Sequence, residues 1–155
     1  SMAAPGSRMT CLGRGRPRQV IREPGAAMDI FPAFLRAAGG DPAEYELDGF
    51  DVMSMVADGA ESPHEAIFWE RGEQTAVRRG PWKLVLNGYV VEGATDEDKV
   101  HLSYLPQDRG ERVNLKDEYP DLTAELRAAA ETWRADIENR WQARQRASCS
   151  LAGGK

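Results

Sequence analysis

The chain changes its hydrophobic period once, sharply, and that change limits the folds open to it. Between Ala66 and Leu105 the apolar residues come in short runs, some of them alternating; from Pro120 to Trp141 they come at helical spacing. A half-apolar sheet and a one-sided helix each need a partner, and packing one on the other satisfies both. The expected strands are Ala66–Trp69, Thr75–Arg78, Trp82–Leu86 and Val100–Leu105. Aromatic and β-branched residues mark them, and turn residues separate them at Arg71-Gly72-Glu73 and Gly80-Pro81. Asn87-Gly88 is a hairpin signal, with Tyr89-Val90-Val91 continuing beyond it, and 93–99 reads as a polar loop. Such short connections favour antiparallel pairing. In the helix, Leu122, Leu126, Trp133, Ile137 and Trp141 form one stripe with Ala129 and Ala130 filling it, while Arg127, Glu131, Arg134 and Glu138 lie off it. The expected fold is α+β: a small antiparallel sheet packed by a long carboxy-terminal helix and preceded by short helices.

Those short helices lie upstream. Asp29 is placed to cap a helix through its carboxylate, and Pro32 falls in the first turn, where a missing N–H is harmless. Ile30, Phe31, Phe34 and Leu35 give the helix an apolar face, and Gly39-Gly40 can end it. Asp51 precedes a second short helix carrying Val52, Met53, Met55 and Val56, which Gly59 can stop. Ser62-Pro63-His64-Glu65 fits either a capping box or a plain turn. The expected organisation is a disordered leader over 1–25, a helical segment over 26–60, the sheet and long helix over 61–147, and a disordered tail over 148–155.

Composition narrows the function classes. The 155 residues suffice for one domain, and no apolar run approaches the roughly 20 residues that span a bilayer. The opening residues show no apolar signal-peptide core. A net charge of −5 argues against nucleic acid as a partner. Arg8, Arg14, Arg16, Arg18 and Arg22 cluster before the first acid, Glu23, but Gly and Pro interrupt them and they have no apolar face, so they read as a solvated leader. Cys11 and Cys149 make neither a disulfide framework nor, alone, a metal site, and the compartment stays unassigned.

Three segments occur in a fixed order: 28–40 (Met-Asp-Ile-Phe-Pro-Ala-Phe-Leu-Arg-Ala-Ala-Gly-Gly) with Leu47-Asp48-Gly49, then 76–85 around Gly80-Pro81-Trp82-Lys83-Leu84, then 105–115 running into Tyr119-Pro120-Asp121-Leu122. Together they resemble the carboxy-terminal third of an arylsulfatase-family sulfatase, over roughly residues 26–140. Ser103-Tyr104 stands where the family favours an aromatic-acidic pair, and Arg109 where it favours Pro. The resemblance implies that 26–60 is a helical remnant of the family's catalytic domain and 61–147 its carboxy-terminal subdomain. It also implies a reaction, hydrolysis of a sulfuric ester by a formylglycine, with calcium in a full-length member.

The nucleophile arises from a Cys-x-Pro-x-Arg type motif. Cys11-Leu12-Gly13-Arg14-Gly15 lacks the Pro and misplaces the Arg. No paired acidic motif of the family is present, and a hard cation needs six or more oxygens held together. No catalytic, cofactor-binding or metal residue is therefore assigned. His64 reads as an exposed loop residue, His101 as structural, and Asp96, Glu97 and Asp98 as a solvated loop; no Ser, His and acid set supports a triad. The resemblance implies a chain inactive by itself, whose expected partner is a catalytic-domain fragment or a second copy. The alternative is a non-catalytic interaction or oligomerisation module.

Overall fold

A computed structural model of the chain describes residues 20–21, 23–88 and 99–152. The basic residues of the leader, Cys11, Tyr89–Val91 and Asp96–Asp98 lie outside the described residues, as does the side chain of Cys149. The chain divides into two compact units, Ser1–Glu65 and Ala66–Lys155.

The second unit is an antiparallel sheet with a helix across one face. Strands β1 (Ile67–Arg71), β2 (Gln74–Arg79), β3 (Trp82–Leu86) and β4 (Val100–Tyr104) lie side by side in sequence order. Two tight turns set the register. Gly72 (φ 60°) and Gly80 (φ 54°) each occupy the first position of a two-residue loop, a left-handed conformation that a side chain would strain. The third connection is longer. Leu86 pairs with Val100 and the Asn87 N–H donates to the Lys99 carbonyl at 2.7 Å, so both edges of β3 are taken by β2 and β4. Asn87-Gly88 thus opens a long connection rather than forming the two-residue turn expected there. Asn87 keeps the left-handed backbone (φ 54°) that its type tolerates.

Alternation then decides which side chains meet the helix. Val77, Leu84 and Leu102 are adjacent across β2, β3 and β4 and point to one face, where all are fully buried. Helix α3 (Pro120–Ala152) lays Leu126 and Ala130 onto that face. Phe68 and Trp133 stack at 5.2 Å and 9°, and Trp82 sits between Tyr104 and Tyr119 at 4.8 Å from each. Each large apolar side chain buried here contributes about 1.5–3 kcal/mol. The 33 residues of α3 extend roughly 50 Å, far beyond a four-stranded sheet. That excess explains why Trp141, on the expected stripe, is 59% exposed. The helix runs to Ala152, past the end expected near Arg146.

Two polar residues finish the unit. Asn114 covers the outer edge of β4: its Oδ1 accepts from Leu102 N–H and its Nδ2 donates to the Val100 carbonyl, while Leu115 N–H bonds the Leu102 carbonyl. One side chain and one amide thus stand in for a fifth strand. Arg134, expected merely off the stripe, donates to the carbonyls of Gly72 and Glu73 and to Thr75 Oγ1, fastening the β1–β2 turn to α3.

The first unit contains α1 (Ile30–Ala37) and α2 (Met53–Asp58), with single 3-10 turns at Ala27–Asp29 and Pro42–Glu44. Gly59 (φ 72°) closes α2 as expected. The apolar face of α1 is mostly uncovered, as the alternative of an interaction module implies. Pro32 and Ala33 are buried, whereas Phe31 and Phe34 are 59% and 62% exposed, and Leu35 is intermediate. The smaller side chains seat the helix and the larger aromatics have no cover among the described residues.

Leu84→Ala is expected to lower unfolding free energy by about 2–5 kcal/mol, the usual cost of a core cavity. Ser103→Ala, which removes a buried hydroxyl with no hydrogen-bond partner among the described residues, should cost nothing or stabilise. Chemical denaturation of the two variants checks both; equal losses would contradict this account of the core.

Candidate functional site

The most connected polar group of the first unit is Asp29. Only 1% of the residue is exposed, and its carboxylate takes three donors. Oδ2 accepts from Ala26 N–H at 2.7 Å and lies 2.8 Å from His64 Nε2; Oδ1 accepts from Phe50 N–H at 2.9 Å. Local sequence builds the approach. The 3-10 turn brings Asp29 N–H onto the Ala26 carbonyl at 3.0 Å, so Ala26 and Asp29 bond each other twice. Gly49 lets the segment at Phe50 come in: a Cβ there would meet the Met28 carbonyl oxygen at 2.1 Å, a clash with backbone. Phe50 then sets its ring edge-on to the His64 ring at 4.8 Å.

This corrects two expectations. Asp29 does not cap α1 with its side chain; the carboxylate is committed to Ala26, Phe50 and His64 instead. His64 is not an exposed loop residue, since its side chain is 3% exposed and paired. No helix starts at Ser62, which takes the plain-turn alternative: its hydroxyl donates to the Pro24 carbonyl at 2.6 Å and accepts from His64 N–H. That hydroxyl is therefore committed away from the imidazole, and the three residues form no nucleophilic triad. The buried side chain of His64 leaves no signal in a single sequence beyond its place before a strand.

Burial alone would raise the Asp29 carboxyl. The Ala26 and Phe50 amides and the His64 imidazole outweigh it and hold the group below the ordinary carboxylate range. Both oxygens being turned to N–H donors, Asp29 is not arranged to ligate a cation. Among the described residues no group of three or more His, Cys, Asp or Glu side chains is placed to hold a metal ion. These residues do not fit a calcium site.

The second unit offers a groove of about 340 Å³ on the sheet face opposite α3. Trp69 and Ala76 are cross-strand partners, Ala76 and Val85 likewise, so a small residue lies between an indole and an isopropyl group. Arg71 and Gln74 edge one end. At the other, Lys83 Nζ contacts Glu111 Oε1 at 2.5 Å. Glu111 stands in a left-handed conformation (φ 53°) on a loop that Asp108 holds by accepting from the N–H groups of Arg112 and Val113. Those amides pull the Asp108 carboxyl below its usual value. His101 lies buried within β4, on the same face.

The chain resembles the carboxy-terminal region of an arylsulfatase-family sulfatase. Steryl-sulfatase of Mus musculus is 38% identical over 69 residues, which cover 41% of this chain and 11% of that protein. The crystal structure of Ps i-CgsB in complex with k-i-k-neocarrahexaose shares the fold, with a TM-score of 0.57 and 20% identity over 73% of this chain and 25% of that one. The structure of BT4656 in complex with its substrate, D-glucosamine-2-N,6-O-disulfate, does so with a TM-score of 0.50 and 18% identity over 72% and 24%. The chain thus spans about a quarter of these solved relatives. No family model matches it.

Gly49→Ala is expected to destabilise the first unit by about 2 kcal/mol or more, because backbone must move to admit the methyl. Amide hydrogen exchange at Phe50, whose N–H bonds Asp29, should speed up accordingly; unchanged exchange would contradict the close approach.

Proposed function

We propose that this chain is the carboxy-terminal part of a sulfuric ester hydrolase and is inactive alone. The observation that carries the proposal is the coincidence of a 38% identity with a steryl-sulfatase and a fold shared with larger chains, each over part of the relative. Its contribution to the reaction is structural: the second unit gives a rigid sheet on α3, and the groove over Trp69, Ala76 and Val85 supplies one wall of a substrate cleft. Lys83 and Glu111 are engaged with each other in an ion pair at one end of that groove. Any calcium that the family's reaction uses is held by residues other than those described here.

A second feature favours association. Phe31, Phe34 and Phe50 are exposed together with Ile30 in the first unit. Ile30, Phe31 and Phe34 lie on neighbouring turns of α1, an exposed apolar stripe of the kind that marks an interface, and the partner we propose is a catalytic-domain fragment of the same enzyme class.

Purified chain should release no phenol from a chromogenic aryl sulfate above a heat-killed control, and addition of a sulfatase catalytic-domain fragment should produce turnover. Activity of the chain alone overturns the inactivity. A silent mixture containing a demonstrably folded chain and fragment removes the completing role. In that case a concentration-dependent mass in sedimentation, abolished by Phe31→Ser with Phe34→Ser, would identify a self-association module.

A further inference from the structure

The first unit has little apolar material to hold it. Among the described residues, Pro32, Ala33, Met55 and Asp29 are buried there together with the His64 side chain, whereas the second unit has a continuous apolar core. Its long-range ties are polar, and two of them meet on one carboxylate: Asp29 to Phe50, 21 residues away, and Asp29 to His64, 35 residues away. We propose that Asp29 and His64 form an acid-operated latch, which holds the first unit closed while the Asp29 carboxylate is ionised and opens it on protonation, leaving the second unit folded.

The groups around the latch give the sense of the response. His64 is the ionisable group that faces Asp29, from the loop before β1. The elements around it contribute Ala26 and Phe50 amides, Gly25 and the Met55 thioether, which would lie 3.5 Å from a Cβ at Gly25. On α1, Arg36 is engaged with Asp41 at 3.0 Å and Asp51 at 3.1 Å; Asp48 lies in the turn leading to Phe50 and has its own partner. While the Asp29 carboxylate is ionised it can take the imidazole and both amides together, so the pair stays closed until Asp29 itself takes a proton. Its folded carboxyl sits below the ordinary value near 3.8. The stabilisation is therefore present above the ordinary carboxyl value and is lost progressively as pH falls below it and through the lower folded value. A neutral acid has one O–H to place where three donors point, and the amides of Ala26 and Phe50 compete for what acceptor capacity remains.

The sequence supplies one reporter for each half. Of the two histidines, His64 is in the first unit and His101 in the second, and all four tryptophans (Trp69, Trp82, Trp133, Trp141) are in the second. Nuclear magnetic resonance of the two imidazoles in the full chain, with tryptophan emission in parallel, follows both units from pH 7 to about pH 2.5. The expected result is that His64 loses the Phe50 ring-current shift and reaches the position of an unstructured protonated histidine as pH falls below the ordinary carboxyl value and through the folded value of Asp29, while His101 and the emission stay native. Asp29→Asn should show the same displaced His64 and native His101 at pH 7. Movement of both histidines together in acid overturns the proposal, and so does an Asp29→Asn chain whose His64 signal is native or whose tryptophans are exposed. Should that variant fail to fold, the Asp29 carboxyl carbon resonance of the wild-type chain, followed in the same titration, supplies the test: a His64 signal that stays native after Asp29 has taken its proton, or that moves before it, overturns the proposal.

Discussion

Everything in the second unit depends on one contact plane, the face where Leu126 and Ala130 of α3 meet Val77, Leu84 and Leu102. Each of the three strand residues is the cross-strand partner of the next, so their side chains form a row across the sheet. A residue as small as Ala130 lets the helix come down onto that row. The aromatic pairs at its margins, Phe68 with Trp133 and Trp82 with Tyr104 and Tyr119, then widen the buried area on either side. A one-residue slip of any strand would turn its member of the row to the opposite face. The glycine turns and the Arg134 clamp prevent such a slip, because both act on the connection that sets the register.

The sheet and helix were legible in the residues because period and turn chemistry act locally. Trp82, Leu84 and Leu86 alternate with Lys83 and Val85, and the structure keeps that alternation to the residue. Gly72, Gly80 and Gly59 supply positive φ where a turn or helix end requires it. What escaped was decided at longer range. Asn114 reads as an ordinary loop residue, and its strand-like role depends on β4 having an outer edge twelve to fourteen residues away. Arg134 looked like surface charge on a helix because its partners are carbonyls of a turn more than 60 positions earlier. Asn87-Gly88 carries a true turn signal, yet the neighbour of β3 is fixed by where the next apolar strand begins.

Asp29 is the clearest case of local and tertiary demands competing. Before a helical run, an acid is a natural cap, since it can accept from the first free amides. Here the same capacity is spent on a more distant set of donors: one amide three residues back, one amide after Gly49, and the His64 ring. The exchange is favourable because the partly buried donors find a charged acceptor in Asp29, where an unmade hydrogen bond costs up to about 1–3 kcal/mol, while the first turn of α1 contains Pro32, which has no N–H to offer.

The two units therefore stand on different physics. One is held by apolar area, which is indifferent to pH; the other by a carboxylate that three donors require to be charged. The acid-dependent member also carries the exposed aromatics Phe31, Phe34 and Phe50, and Phe50 belongs to both features: its amide bonds Asp29 and its ring abuts His64. A partner seated on those aromatics would stabilise the closed arrangement of Phe50, and by linkage the closed latch would favour the partner. Any such association would then be linked to the ionisation of Asp29 through a single residue, Phe50.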